Sequence, residues 1–117
     1  MSTHHAMTYV ELAADDLEAS RAFYAQAFGW EFNDYGPTYV GIRSPTGEGE
    51  VGGLNTQGAG GPGGPLVLVQ SADVDASFAA VEAAGGRVVE PLAPYPGGRR
   101  FTFADPAGTV LGVFQPD

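Results

Sequence analysis

A chain of 117 residues with fourteen acidic and five basic side chains carries a formal charge of −9 and contains no cysteine. That charge repels nucleic-acid phosphates and anionic lipid surfaces, so neither nucleic acid nor membrane is an expected partner, whereas a cationic small molecule is a compatible one. Disulfides, thiolate catalysis and cysteine zinc sites are excluded outright.

The length suits one domain, because either half alone would bury too little apolar surface to fold. At 44% hydrophobic residues the chain is too apolar for general disorder. Its longest apolar run, residues 66–69, is far short of the ~20 needed to span a bilayer, and MSTHHAMTY lacks the pattern of a signal peptide. The expectation is a soluble cytoplasmic protein.

His4 and His5 read as a frayed tail rather than a ligand pair. Residues 7–13 alternate as a strand, with Tyr9, Glu11 and Ala13 on one face and Val10 and Leu12 on the other. Asp15 followed by Glu18 resembles a capping box. Leu17, Phe23, Tyr24, Ala27 and Phe28 then form an apolar stripe at helical spacing, stopped by Gly29. Residues 30–34 and 38–43 are β-type runs around a turn at Tyr35, Gly36 and Pro37, and residues 51–55 form a further strand. Within it, Gly52 and Gly53 allow a close approach to the backbone. Residues 56–65, TQGAGGPGGP, read as a flexible bridge.

Beyond the bridge the same order returns. Residues 66–71 form a strand, Asp73 caps a helix over 74–84, residues 87–90 form a strand, PLAPYPGG a loop, and residues 99–104 and 109–115 two strands joined by DPAG. A constant offset of 57 residues matches Asp16 to Asp73, Leu17 to Val74, Ser20 to Ser77 and Gly29 to Gly86. One unit of strand, helix and three strands is used twice: a first module at about 7–55 and a second at about 66–115.

The phrase DDLEASRAFYAQAFGWEF after a first strand, the helix ending in AAGG, and DPAG before an alternating strand resemble the vicinal-oxygen-chelate superfamily, which includes glyoxalase I, bleomycin-resistance proteins and extradiol dioxygenases. The resemblance covers residues 9–115 and implies an α+β fold. Two βαβββ modules would form a curled eight-stranded mixed sheet around a cleft, with the helices outside. Small members often pair as homodimers, so the resemblance implies a homodimer, which the sequence itself does not distinguish from a closed monomer.

Metal-dependent members take one ligand from the first and one from the last strand of each module. Projected here, those positions are Tyr9, Gly53, Leu66 and Gly112. None is a plausible ligand, since leucine and glycine carry no donor atom and a neutral tyrosine hydroxyl binds divalent ions poorly. No metal and no other cofactor is expected.

Strand parity with Tyr9 directs Glu11, Leu66, Leu68, Gln70, Val110 and Phe114 into the cleft, together with Tyr39 or Val40 and Leu54 or Asn55 according to register. Tyr95, between two prolines, suggests a lid, and by alternation either Arg99 or Arg100 faces the cleft. Glu11 is the sharpest candidate. A carboxylate on that face has to be paired, raised in pKa or wet, and Arg43, Arg99 or Arg100 are possible partners; unpaired, it would serve as a general base or as an anchor for an amine.

The preferred reading is a metal-independent small-molecule binding protein similar to the antibiotic-sequestering branch, with a cationic or aromatic ligand. The alternative is a glyoxalase-like lyase, isomerase or dioxygenase, with Glu11 as base or with metal ligands in a shifted register.

Overall fold

The computed structural model describes residues 3–58 and 64–117. The chain divides into two compact units, Tyr9–Pro65 and Leu66–Asp117, the latter taking in the residues up to Thr8. The two share an α+β layout of one helix and four strands in mixed directions. The central part of the expected bridge, residues 59–63, lies outside the described residues. Among those described, no helix is long and apolar enough to cross a membrane.

In the first unit the order is β1 (Met7–Ala13), α1 (Leu17–Phe28), β2 (Phe32–Asp34), β3 (Tyr39–Arg43) and β4 (Glu50–Asn55). The strands lie side by side as β2-β3-β4-β1, with β1 parallel to β4 and the other pairs antiparallel. The helix is capped by Asp16, whose side chain accepts from the Ala19 amide at 3.1 Å. The cap is thus one residue later than the expected Asp15, because Asp16 has the extended backbone that brings its carboxylate over the first turn. Gly29 closes the helix in the left-handed conformation, at φ 71°.

The face of this sheet toward α1 is apolar: Ala14, Leu17, Val40, Ile42 and Leu54 are buried there, with Leu12, Tyr24, Trp30 and Phe32 packed around them. The expected stripe on α1 is only partly buried. Phe23 and Phe28 remain 61% and 63% exposed, Phe23 because it is turned about 100° around the helix from Tyr24, and Phe28 because it sits at the helix end.

The second unit repeats the plan with β5 (Leu66–Gln70), α2 (Val74–Ala83), β6 (Arg87–Tyr95), β7 (Gly98–Ala104) and β8 (Val110–Pro116), in the order β5-β8-β7-β6. Asp73 caps α2 by accepting from the Ala76 amide, again at 3.1 Å. Its core is Val74, Phe101 and Val113, with Val69, Phe78, Val81, Leu92 and Phe103 against it.

Two expectations are corrected here. The PLAPY stretch is strand rather than loop: β6 runs through Pro91 and Pro94 to Tyr95. It pairs only with β7, so prolines lacking an N–H are tolerated on its open edge, and its register shifts between Glu90 and Ala93, around Pro91. The histidine tail is not frayed. His5 N–H donates to the Gln70 carbonyl at 2.6 Å, its Nε2 lies 3.1 Å from Ser77 Oγ, and His4 Nδ1 accepts from the Ala72 amide at 2.9 Å.

Candidate functional site

The face of the first unit away from α1 carries the polar residues. In register, Glu11 lies beside Gly53, Gly53 beside Gly41 and Gly41 beside Asn33, a row running across all four strands. Glycine at two of these positions leaves room above the backbone, and the chain fills it with its own side chains. The Tyr39 hydroxyl packs on Gly53, and the Glu50 carboxyl packs on Gly41.

Glu50 reaches this face through a register shift. Ile42 pairs with Gly52, but Arg43 pairs with Glu50 rather than with Val51, and this extra residue on β4 turns Glu50 to the same side as Gly41.

A continuous hydrogen-bonded chain results. Tyr39 Oη donates to Glu11 Oε2 at 3.0 Å, Tyr39 and Tyr9 hydroxyls meet at 3.0 Å, and Tyr9 Oη donates to Glu50 Oε1 at 3.1 Å. Glu50 Oε2 also accepts from Asn33 Nδ2 at 2.8 Å and from the Tyr35 hydroxyl. Glu11 is 3% exposed, while Tyr9, Tyr39 and Glu50 are half-buried and Tyr35 is 58% exposed.

Burial, which disfavours a phenolate, is the largest influence holding Tyr9 and Tyr39 far above the usual tyrosine pKa, and the neighbouring glutamates add to it. The Tyr35 pKa is raised chiefly by its hydrogen bond to Glu50. All three tyrosines are therefore neutral donors.

The sequence candidates separate cleanly. Tyr9, Glu11 and Tyr39 are brought together. Leu54 lies on the opposite, α1 side of the sheet in the apolar core, so of the pair Leu54 and Asn55 it is Asn55 that is in register with Tyr39, where its side chain closes a turn by accepting from Gln57 N–H.

In the second unit Leu68 lies beside Gly112, and Gln70 beside Phe114, which is opposite Arg100. Leu66 and Leu68 are 1% and 2% exposed, and Leu68 covers Gly112. Arg99 belongs to the helix side, held by Asp75 of α2 through two bonds of 3.2 and 2.7 Å, and is corrected from the cleft list in favour of Arg100. Tyr95 is likewise corrected from a loop lid to a strand end: it pairs with Gly98, and its ring packs on Gly97.

Arg43 and Arg99, two of the suggested partners for Glu11, are engaged by Glu31 and Asp75. Glu50, Asn33 and Tyr35 are not among the sequence candidates: Glu50 lies just before the strand read at 51–55, Tyr35 reads as a turn residue, and the bulge that enlists Glu50 leaves no residue pattern of its own.

The sequence matches the Glyoxalase/Bleomycin resistance protein/Dioxygenase superfamily over residues 4–113. The chain belongs to this superfamily. No curated protein matches it in sequence.

Among solved structures it is similar to the NAD-dependent benzaldehyde dehydrogenase from Legionella pneumophila, with a TM-score of 0.72 and 19% identity over 93% of this chain and 98% of that one. Methylmalonyl-CoA epimerase from Mycobacterium tuberculosis gives 0.73 and 15% over 100% and 93%. The Mn(II)-bound glyoxalase from Novosphingobium aromaticivorans gives 0.71 and 26% over 98% of this chain but 40% of that one. The likenesses at 19% and 15% establish the fold alone.

A superfamily of this kind implies a divalent metal, and the four projected positions do not fit one. Tyr9 keeps its proton, Tyr39 packs on Gly53, Leu66 is buried, and Leu68 covers Gly112. Among the described residues no group of three or more His, Asp or Glu side chains is arranged to hold an ion.

Proposed function

We propose that the protein binds a small organic molecule without a metal ion, at the tyrosine and glutamate face of the first module. The observation that carries this reading is the chain of hydroxyls and carboxylates from Glu11 to Glu50, whose donors and acceptors are held in fixed positions by one another. A few fixed polar groups beside aromatic rings suit the recognition of a small ligand.

The exposed ring of Tyr35 lies 6.2 Å from that of Tyr39 and offers a surface for a planar group. Two carboxylates on the face and a net charge of −9 favour a cationic ligand, as in the antibiotic-sequestering branch of the superfamily. The experiment is a thermal-shift screen against basic antibiotics with planar aromatic groups, repeated with Tyr35→Ala and Tyr39→Phe. Stabilisation of the wild type that weakens in both variants supports the reading; stoichiometric tightly bound metal in untagged protein, or no stabilisation by any compound, overturns it.

A second reading is favoured by the 3.0 Å bond from Tyr39 to Glu11: proton-transfer catalysis by an isomerase, epimerase or lyase, with Glu11 as base and tyrosine hydroxyls as donors. Its mark is deuterium appearing at carbon when a stabilising compound is incubated with the protein in heavy water. That mark is absent for a receptor that only sequesters.

A further inference from the structure

Two carboxylates share the face of the first module, and they differ in access: Glu11 is 3% exposed, while Glu50 is half-buried. A carboxylate carries two lone pairs on each oxygen, and the neighbours of Glu50 fill them unevenly. Its Oε2 accepts from Asn33 Nδ2 at 2.8 Å and from the Tyr35 hydroxyl, which takes up both positions. Its Oε1 accepts from the Tyr9 hydroxyl at 3.1 Å, and among the described residues that is the one donor it receives. A second acceptor position on Oε1 is left to solvent or a ligand.

All three donors are neutral. Burial chiefly holds Tyr9 in its protonated form, the bond to Glu50 does the same for Tyr35, and an asparagine amide carries no charge. The module's two arginines are directed elsewhere, Arg21 to Asp34 and Arg43 to Glu31. Among the described residues Glu50 is thus held by dipoles and has no counter-ion. We propose that Glu50 is the anchor for a protonated amine, its Oε1 accepting one N–H from a primary or secondary ammonium group of the ligand. This rests on the reading of the face as a cation site and names the group that the face selects.

The remaining position fixes the chemistry. A guanidinium or amidinium makes its two parallel N–H bonds when both carboxylate oxygens can accept, and here Oε2 is already filled. A quaternary ammonium has no N–H to donate. An ammonium with an N–H needs a single acceptor and finds it on Oε1. The carboxyl group rests on Gly41, and Asn33 and Tyr35 keep it from turning, so the accepting oxygen is in place before the ligand arrives. The ring of Tyr35, 58% exposed and bonded to the same carboxylate, offers its face to a planar group beside that amine.

The test uses three aromatic monocations, benzylamine, benzamidine and benzyltrimethylammonium, with affinities read by NMR titration of the wild type and of Glu50→Gln at neutral pH. Benzylamine is expected to bind the wild type about tenfold more tightly than either of the others, and Glu50→Gln to lose that preference. A merely structural role for Glu50 would weaken all three together and keep their order. Equal affinities in the wild type, a preference that survives in Glu50→Gln, or no binding of benzylamine overturns the proposal; if Glu50→Gln fails to fold, the wild-type order decides. Should the proposal fail while a basic antibiotic still stabilises the protein, the wider reading of the face stands; if neither binds, both fall.

Discussion

The hydroxyl of Tyr39 sits over Gly53 where a side chain at that position would begin, closer than any permitted contact with a Cβ. One of the projected metal positions is thus occupied from within the module by a tyrosine that also donates to Glu11. Gly53→Ala is therefore expected to destabilise the protein by about 2 kcal/mol, the usual scale of overpacking, by driving the ring off its carboxylate. Tyr39→Ala should relieve the clash, so in a double-mutant cycle followed by denaturant unfolding the pair is less destabilised than the sum of the single changes. Additive costs would mean that the two positions do not compete for space.

The same tyrosines fix the alkaline limb of stability. Their folded pKa values are raised above the unfolded value of about 10, so their contribution is fully present below pH ~10 and is lost as the pH rises beyond it, while the unfolded chain gives up protons that the folded chain keeps. Each should steepen the fall in unfolding free energy by up to about 1.4 kcal/mol per pH unit above that point. Tyr9→Phe and Tyr39→Phe should each flatten the limb by one such contribution, measured as midpoint against pH. At neutral pH Tyr39→Phe should still cost about 2 kcal/mol, because a buried carboxylate loses a donor.

The repeat and the fold class were legible because they are written in local chemistry. Asp16 and Asp73 cap their helices with matching geometry, and glycines and apolar periods mark the strands around them. Strand parity also placed Tyr9 and Glu11 on one face. What escaped depended on events between strands. The bulge opposite Arg43 decides which way Glu50 points, and the open edge of β6 decides that a proline-rich stretch can be a strand. The sequence showed glycines at two projected metal positions, but only packing shows that Tyr39 and Leu68 are what lies over them.

The two caps offer a direct comparison of the modules. Asp16→Ala and Asp73→Ala each remove a side-chain bond of 3.1 Å to the third amide of the helix, and each should cost about 1 kcal/mol. Asp73 is held further by its own amide, which donates to Ser71 Oγ at 3.0 Å. Amide hydrogen exchange should show faster opening in the first turn of the altered helix and little change in the other. Equal loss of protection in both helices would argue that neither module opens alone.

The Arg99–Asp75 pair ties β7 to the first turn of α2 and should leave its mark on the acid limb. The hydrogen bond from Arg99 holds the Asp75 carboxyl below the usual aspartate range. A depressed folded pKa adds stability that is present above the unfolded value of about 3.9 and disappears as the pH falls through the folded one. Asp75→Asn should therefore lower the melting temperature at neutral pH by at most a few degrees, the pair being exposed, and the difference from wild type should close under strongly acidic conditions. Added salt should shrink it as well, because the charges are open to screening. Arg99→Gln should reproduce the neutral-pH loss. If Asp75→Asn lowers the melting temperature equally at neutral and strongly acid pH, the loss comes from helix capping geometry rather than from the ion pair.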